Sequence, residues 1–382
     1  MSESLLASII VSSYNYGRFL NEAIDSALGQ TYANTEVIVV DDGSTDDSRQ
    51  IIAAYDDRIL PVLKDNGGQA SAFNAGFAAS RGQVVFFLDS DDVLLPTAVE
   101  NAVAFFDDSG VAKAHWPLLV IDEHSRETGK VIGTNLPEGD LRDTLLRNGP
   151  DGYGWPPTSG NAWARSFLER VLPMPEAEYK TCPDLYLSAL APLFGHVKKI
   201  SAPQSCWRAH QINNSWREAF DERLRAGLWR TERCFDTLRR FCEQMNLQPA
   251  TENWRRNSWW HQIEQATQTI SRLIPPGETF ILVNEDEWAS GDTIAGRRRL
   301  SFPPFPDENG YFGGLPPDDA AAIAELERLR QRGANFIVFV WPFLWWLDHY
   351  AGLRDYLNAN FRCLAKSDRL AAFDLRSDES TW

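Results

Sequence analysis

Cysteine is scarce in this chain of 382 residues, which contains five. They are odd in number and no two are spaced as C-x-x-C, so the sequence indicates neither a disulfide framework nor a zinc site. Long apolar runs are also absent, because the most apolar stretch, 336–347, is about half as long as a bilayer span requires. Residues 1–7 lack the basic start and apolar core of a signal peptide. We therefore expect a cytoplasmic protein without a transmembrane span, at most held at the inner face of the membrane.

Positive charge is in short supply, since 37 Lys and Arg face 53 Asp and Glu and give a net charge of -16. This charge repels polyanions at long range and argues against general binding of nucleic acid or of anionic lipid surfaces.

The length of the chain exceeds that of one typical domain. We predict three parts: a catalytic domain over 1–215, a helical segment over 216–273 and a small α/β accessory domain over 274–382.

The first 120 residues alternate between two periodicities. Short runs rich in Val, Ile, Leu and Phe are typical of strands buried on both faces, and they lie at 8–12, 36–41, 59–63 and 84–88. Helical patterns separate them, so the order predicts an α/β fold with a mainly parallel sheet. Ligands of such sheets bind beyond the carboxyl ends of the strands. The polar and acidic residues after the first, second and fourth runs are therefore expected to converge at one edge.

The remainder of the chain carries a second pattern. Residues 216–272 read as two helices that we expect to pack beside the catalytic domain. A small α/β unit follows, with predicted strands at 279–283 and 335–340, a proline-rich loop at 303–306, helices at 318–332 and 342–360, and a hairpin near 362–375. No motif assigns a reaction to this unit. Its tryptophans are interpreted as core or interface, with contact to a partner or a lipid-linked acceptor as the functional alternative.

The strongest chemical signal is the segment 89–92, DSDD, at the end of a buried strand. Asp89, Asp91 and Asp92 repel one another, and the simplest compensation is Mg²⁺ or Mn²⁺ bridging them to a diphosphate. A helix cap near Pro96 would explain one carboxylate but not three. The segment 41–46, DDGSTD, stays open between ordinary turn and cap chemistry and a carboxylate that binds a base or ribose.

Four segments in this order resemble the motifs of inverting family 2 glycosyltransferases with the GT-A fold: 8–15 (SIIVSSYN), 39–46 (VVDDGSTD), 66–76 with NGG at its start and NAG near its end, and 87–92 (FLDSDD). The resemblance covers about residues 5–215. It implies a nucleotide diphosphate sugar, expected to be a UDP-sugar, as the donor. It also implies nucleotide-sugar contacts from Ser12, Tyr14, Asp41, Asp42, Asn66, Gly67, Asn74, Asp89 and Asp91.

The resemblance implies that Ser12 and Tyr14 flank the base and that Asp42, in preference to Asp41, bonds to it. Asp89 and Asp91 form the D-x-D signature, with Asp91 and Asp92 sharing ribose and metal contacts. One departure is Phe73, where many relatives have an arginine, so a basic contact is missing or supplied elsewhere.

Inverting transfer also needs a general base that deprotonates the acceptor hydroxyl. The segment 181–187 resembles the acidic motif that carries this base in the family, and Asp184 is the candidate. The residue before it is Pro183 rather than the frequent acidic residue, and a helix N-cap role is the alternative.

Two further segments carry candidate residues. Residues 207–215 are similar to the family's Y-R-x-H-x-x-N-x-S segment, which implies that Arg208 and His210 neutralise the leaving diphosphate, whereas an Arg-x-His on a strand is by itself usually surface. In the loop 152–163 we interpret Trp155 as an acceptor wall and Trp163 as core.

The sequence thus predicts a metal-dependent glycosyltransferase that acts on a glycan or lipid-linked acceptor, as in cell-surface polysaccharide synthesis. The alternative is an inactive glycan- or nucleotide-sugar-binding scaffold with the same fold.

Overall fold

The computed structural model describes residues 4–210, 219–283, 293–302, 305–306, 312–341 and 343–376. Contacts divide the described residues into two compact units, the first with 4–210 and 230–258 and the second with 219–229 and the residues from 259 onward. The domain boundaries predicted at 215 and 273 stay predictions.

The first unit is built on a seven-stranded and a four-stranded sheet. Its strands are β1 (Ala7–Ser13), β2 (Thr35–Asp42), β3 (Leu60–Lys64), β4 (Val84–Asp89), β5 (Val93–Leu94), β6 (Val111–His115), β7 (Leu118–Ile121), β8 (Glu127–Ile132), β9 (Asn161–Ala164), β10 (His196–Lys199) and β11 (Ser205–Arg208). Its helices are α1 (Gly17–Leu28), α2 (Ser48–Ala53), α3 (Gln69–Ala79), α4 (Ala98–Val103), α5 (Arg142–Asn148), α6 (Arg165–Val171), α7 (Pro183–Phe194), the last part of α8 (Phe220–Gln244) and α9 (Thr251–Asn257).

The large sheet has the order β10-β6-β9-β4-β1-β2-β3, and the small one has the order β5-β11-β7-β8. In the large sheet β1 pairs in parallel with β2 and β4, β2 with β3, and β10 with β6, while β9 is antiparallel to both neighbours. The predicted α/β class and mainly parallel sheet are confirmed. The predicted strands lie within two residues of β1 to β4.

Both faces of this sheet are buried, which explains the unbroken apolar runs. Ile10 of β1 packs into a core with α3, whereas its neighbours Ile9 and Val11 pack into a second core with α1. Phe73 on α3 stacks on Phe87 of β4, with ring centres 4.0 Å apart. The residue that replaces the family arginine therefore fills the core.

Gly76 marks the closest approach of α3 to the sheet. A Cβ there would lie 2.3 Å from Cγ2 of Ile10 and 3.0 Å from Cγ2 of Val40. Alanine normally stabilises a helix interior, but overpacking costs about 1–3 kcal/mol. We expect Gly76→Ala to lower the unfolding free energy by about 1–2 kcal/mol in urea titrations, while the exposed control Ala78→Ser changes it by less than about 0.5 kcal/mol. A Gly76→Ala variant as stable as its parent would contradict this packing.

The second unit contains a six-stranded sheet in the order β13-β14-β12-β17-β19-β18 and a two-stranded ribbon of β15 and β16. Its strands are β12 (Thr279–Val283), β13 (Thr293–Ile294), β14 (Arg297–Ser301), β15 (Phe305–Pro306), β16 (Phe312–Gly314), β17 (Phe336–Val340), β18 (Arg362–Lys366) and β19 (Leu370–Asp374). Its helices, besides the start of α8, are α10 (Trp259–Leu273), α11 (Asp319–Gln331), α12 (Trp346–His349) and α13 (Ala351–Asn360).

This unit confirms the predicted strands, the helix at 318–332 and the hairpin. The predicted helix at 342–360 is instead a 3₁₀ turn followed by α12 and α13, since Tyr350 leaves the helical conformation between them. The region predicted as two helices forms three, α8 to α10, because Asn246 at φ 54° and Pro249 end α8. Residues 303–304 of the predicted loop lie outside the described part, and 305–306 form β15. Within the described residues no helix is long and apolar enough to cross a membrane.

Candidate active site

The carboxyl ends of β1, β2 and β4 lie side by side. Ser13 pairs with Asp41 in register, and Ser12 pairs with Asp89, as the parallel order requires. The loops after β1 and β2 are joined, because the Asn15 N–H donates to Ser44 Oγ at 3.0 Å and Asn15 Oδ1 accepts from the Thr45 N–H at 2.7 Å. We call the acidic residues at these strand ends, Asp41, Asp89 and Asp91, the aspartate rim. On the loop after β1, Tyr14 is 46% exposed.

The Asp42 side chain is hydrogen-bonded to the end of β3 and to the loop between β3 and α3. Its carboxylate accepts hydrogen bonds from Lys64 Nζ at 2.5 Å, from the Gly67 N–H at 3.0 Å and from the Gly68 N–H at 2.7 Å. The Asn66 amide donates to the Asp42 backbone carbonyl at 3.0 Å. Asn66 and Gly67 thus hold Asp42, and both of its carboxylate oxygens are occupied.

Asp41 differs from Asp42 in having an unused oxygen. Oδ1 accepts from Arg49 Nε at 2.6 Å and from the Ser44 N–H at 3.2 Å. Oδ2 is buried and has no hydrogen-bond partner among the described residues, and the same holds for Oγ of the adjacent Ser13. Buried polar atoms are rarely left unpaired, so these two atoms indicate a position for a ligand donor.

Asp89 is the innermost acid of the rim. Its Oδ1 accepts from Gln69 Nε2 at 2.7 Å, and the Thr158 side chain also bonds to it. Burial, followed by the nearby charges of Asp91 and Asp184, raises the pKa of Asp89 to about 8. A cation in this place would remove the penalty on the ionised form.

Asp92 faces the protein rather than the rim. Its Oδ2 accepts from Ser159 Oγ at 2.6 Å and its Oδ1 from the Arg208 backbone N–H at 2.9 Å. Burial and the charges of Asp91 and Asp89 raise its pKa well above the usual range. Because both oxygens bind protein donors, this geometry does not support the predicted metal contact of Asp92.

Asp91 is paired with His210. Among the described residues, this is the one contact between a carboxylate of the rim and an imidazole. His210 Nε2 lies 2.9 Å from Asp91 Oδ2, and its buried ring packs against Tyr16 and Phe19. No group of three or more His, Cys, Asp or Glu suited to a metal occurs in the residues described. Mg²⁺ and Mn²⁺ bound with a diphosphate need only one or two protein carboxylates, so Asp91 suits such an ion, with the His210 imidazole beside it.

Arg208 is buried and directed into the protein. Its Nε donates to the Asp91 carbonyl at 2.7 Å, Nη1 to Ser125 Oγ at 2.8 Å and Nη2 to Glu22 at 2.5 Å. These bonds brace the segment after β4 against α1 and the loop before β8. The predicted contact of Arg208 with a leaving diphosphate is therefore not supported. Asn213, Asn214 and Ser215 of the same motif lie outside the described residues.

We expect Arg208→Lys to lower the unfolding free energy by about 2 kcal/mol, because an ammonium cannot reproduce the planar fork of donors that serves these acceptors. Urea titration measures the loss. The matched control is Arg126→Lys at a 73% exposed side chain paired with Asp122, where the loss should stay below about 0.5 kcal/mol. Equal losses in the two variants would contradict the bracing role.

Asp184 lies at the second residue of α7. Cys182 occupies the N-cap position and Pro183 the first helical position, so the N-cap alternative for Asp184 is wrong. Its Oδ1 accepts from the Leu185 N–H at 3.0 Å. Gln69 links the segment before α7 to the aspartate rim, because its N–H donates to the Lys180 carbonyl at 2.8 Å and its Nε2 donates to Asp89 at 2.7 Å. The Asp184 charge also contributes to the raised pKa of Asp89.

The remaining predicted residues have other surroundings. Asn74 binds the loop at Met174 through both amide atoms, at 3.0 and 2.9 Å, so its predicted donor contact has no support here. Trp163 is buried, which confirms the core interpretation. Trp155 is half-buried against the same core.

The sequence interpretation missed Lys113, a buried lysine in β6 near Asp184. The sequence feature that could have indicated it is a lysine inside an apolar strand.

Comparison with known proteins gives a family match and several similar glycosyltransferases. Residues 8–161 match the family described as glycosyl transferase family 2. An uncharacterized glycosyltransferase of Nostoc sp. is 38% identical over 213 residues, which are 54% of this chain and 66% of the relative. The UDP-Glc:alpha-D-GlcNAc-diphosphoundecaprenol beta-1,3-glucosyltransferase of Escherichia coli is 38% identical over 104 residues, 27% of this chain and 41% of the relative.

Among solved structures, S. aureus TarS in complex with UDP-GlcNAc is 19% identical with a TM-score of 0.46, covering 59% of this chain and 66% of that one. The chain thus covers between 41% and 66% of the lengths of these three proteins. The family match falls on the parallel sheet and on the strand ends that carry the aspartate rim. Residues 8–161, within the first unit, therefore form a glycosyltransferase family 2 domain with a GT-A fold.

Proposed function

We propose that this protein is a metal-dependent inverting glycosyltransferase that moves a sugar from a nucleotide diphosphate sugar, a UDP-sugar, to an acceptor hydroxyl. One observation carries the proposal: Asp91 pairs with His210 at the end of β4, and Gln69 bonds both to the neighbouring Asp89 and to the segment that leads into Asp184. A diphosphate site beside a general base is the arrangement that glycosyl transfer requires.

The base of the donor is assigned to the end of β2. The unpaired Oδ2 of Asp41 is an acceptor suited to the imide N–H of uracil, and this supports Asp41 over the fully occupied Asp42. Ser12, near the end of β1, and Tyr14, on the loop after it, are proposed to flank the base. The Escherichia coli relative is named for UDP-Glc, which supports the same donor class.

This assignment predicts a base preference. We expect UDP to bind at least tenfold more tightly than CDP, because the cytosine ring presents an acceptor instead of a donor at the corresponding atom and leaves Asp41 Oδ2 unpaired. Calorimetric titration with each nucleotide measures the ratio. In Asp41→Asn, whose amide can rotate a donor toward the ligand, the ratio should shrink. Equal affinities of the parent protein for UDP and CDP would contradict the role of Asp41.

The side chains of Asp91 and His210 would hold the ion. When bound, Mg²⁺ or Mn²⁺ supplies positive charge against which the diphosphate can leave. Asp89, fixed by Gln69 and Thr158, adds negative charge to this site.

The chain's own step in the reaction is proton transfer. Asp184 accepts the proton of the acceptor hydroxyl while that oxygen forms a bond to the anomeric carbon. The bond from that carbon to the diphosphate oxygen breaks with its electron pair on the leaving nucleoside diphosphate. Attack opposite the leaving group inverts the anomeric configuration.

The acceptor is proposed to be a glycan or a lipid-linked saccharide of a surface polysaccharide. The diphosphoundecaprenol acceptor in the name of the Escherichia coli relative supports this class, and Trp155 is the candidate stacking residue. A peripheral contact of the second unit with a membrane or a protein partner fits the same setting.

The test is product analysis with a panel of nucleotide sugars and lipid-diphosphate saccharides. We expect transfer from a UDP-sugar with Mn²⁺, no transfer in EDTA, and a product whose anomeric configuration, read by NMR, is opposite to that of the donor. Retention of configuration, or full activity in EDTA, would overturn the proposed mechanism. Nucleotide-sugar binding without transfer would instead favour the scaffold alternative.

A further inference from the structure

Lys113 is a charged residue in an otherwise apolar strand, and its side chain is fully buried. Its Nζ donates to Ser188 Oγ at 3.1 Å and lies 5.0 Å from the ring centre of Trp163 and 5.8 Å from that of Tyr153. Burying an ammonium costs free energy unless an opposite charge is near. The position therefore calls for a carboxylate.

Asp184 supplies that charge. Ser188 follows Asp184 by four residues on α7, and residues at this spacing lie on the same face of a helix. The bond from Lys113 to Ser188 consequently places the ammonium one helical turn from Asp184, on the same face of α7. In the part of the chain that the structure describes, Asp184 is the acidic group that acts on Lys113.

The other charged and titratable groups around the pair come from several elements. Asp184 is also approached by Arg230 of α8, by Asp89 of β4 and by Cys182 before α7. Lys113 is close to His115 on its own strand and to the Tyr153 ring. Burial, followed by the Lys113 charge, lowers the pKa of His115 to about 3, so this imidazole is neutral near pH 7.

We propose that Lys113 is a positioning residue for sugar transfer: its ammonium, fixed by Ser188 near two aromatic rings, keeps the Asp184 carboxylate ionised and so able to accept the acceptor's proton. The inference rests on the proposed function, because it assigns a partner to the general base. Without this cation, a carboxylate enclosed beside Asp89 would hold a proton and could not accept another.

The pKa directions agree with this geometry. Burial raises the pKa of Asp184, and the charges of Lys113 and Arg230 counteract that rise. Burial lowers the pKa of Lys113 to about 7, and the Asp184 charge counteracts it. Removing the ammonium should therefore raise the pKa of Asp184 and move the acid limb of the rate profile to higher pH.

The test compares the pH dependence of kcat in the full chain and in Lys113→Met, which keeps the length of the side chain. We expect the acid limb to move up by about one pH unit, with kcat at pH 7 about tenfold lower and partly recovered at pH 9. The affinity for UDP with Mn²⁺ should stay within about twofold, because Lys113 acts on the acceptor side. The exposed control Lys130→Met removes the same charge and should keep the parent profile.

Lys113→Arg should restore the profile in part, since it keeps the charge. If Lys113→Met does not fold, Ser188→Ala provides the test, because it removes only the hydrogen bond that fixes the ammonium. It should shift the acid limb of the kcat profile in the same direction by a smaller amount. A lower kcat with an unshifted acid limb in the folded variant would show a packing role and overturn the proposal. If the parent chain transfers no sugar from any donor, the proposed function fails instead, which the same assay reveals first.

Discussion

Asp184→Asn is expected to lower kcat by about 10³-fold, because the amide cannot take the proton of the acceptor hydroxyl and positioned bases contribute about 10²–10⁴-fold. Asp184 does not cap α7, so the loss of helix stability should be small. The affinity for UDP with Mn²⁺ should be retained. Steady-state kinetics with saturating donor, together with calorimetric titration of UDP, measure both quantities.

The matched control for this substitution is Asp107→Asn, at an exposed residue of the same unit, which should keep parental kcat. Loss of UDP affinity in Asp184→Asn in parallel with kcat would place Asp184 at the donor instead. An unchanged kcat would remove it from the reaction and reopen the search for the base among the other acids near the rim.

Asp91→Asn should weaken UDP binding in the presence of Mn²⁺ by about 100-fold or more. The substitution removes the rim carboxylate that is paired with His210 and leaves a neutral amide, a poor ligand for a hard cation. Calorimetric titration of UDP into protein saturated with Mn²⁺ measures the loss, and thermal unfolding verifies that the fold is intact.

The exposed substitution Asp57→Asn is the control for this experiment and should leave UDP affinity unchanged. His210→Gln should act in the same direction as Asp91→Asn. If Asp91→Asn bound UDP as tightly as the parent while Asp92→Asn did not, the assignment of the two carboxylates would be reversed.

The sheet and the meeting of acidic residues at one of its edges were predictable because they follow from local patterns. A strand buried on both faces produces a run such as 84–88, and parallel order brings the carboxyl ends of such runs together. The acids at positions 41 and 89 were therefore expected to be neighbours, and their strands flank β1 in the structure.

The partners of individual atoms were not predictable, since they depend on contacts between distant parts of the chain. Arg208 is paired with Glu22, 186 positions away, and Asn74 with Met174, 100 positions away. The sequence shows a residue type suited to bind a phosphate or a nucleotide, but it does not show that its donors are already used. The same limit applies to Asp41 and Asp42, because the sequence does not show which of their carboxylate oxygens already have partners.

Lys113 is visible in the sequence as a lysine within a strand, but it belongs to no recognisable motif. A lysine inside a strand with the sequence VAKAH indicates either an edge position or a buried charge with a partner. The choice needed the position of α7, whose Asp184 lies 71 positions further along the sequence.

The central claim is that Asp91, with Asp89 beside it at the end of β4, binds a cation together with a diphosphate. The direct measurement is calorimetric titration of UDP into the full chain, once with Mn²⁺ and once with EDTA. The account predicts binding with Mn²⁺ that is lost in EDTA. Equal binding in both conditions, or no binding of any nucleoside diphosphate with Mn²⁺, would contradict it.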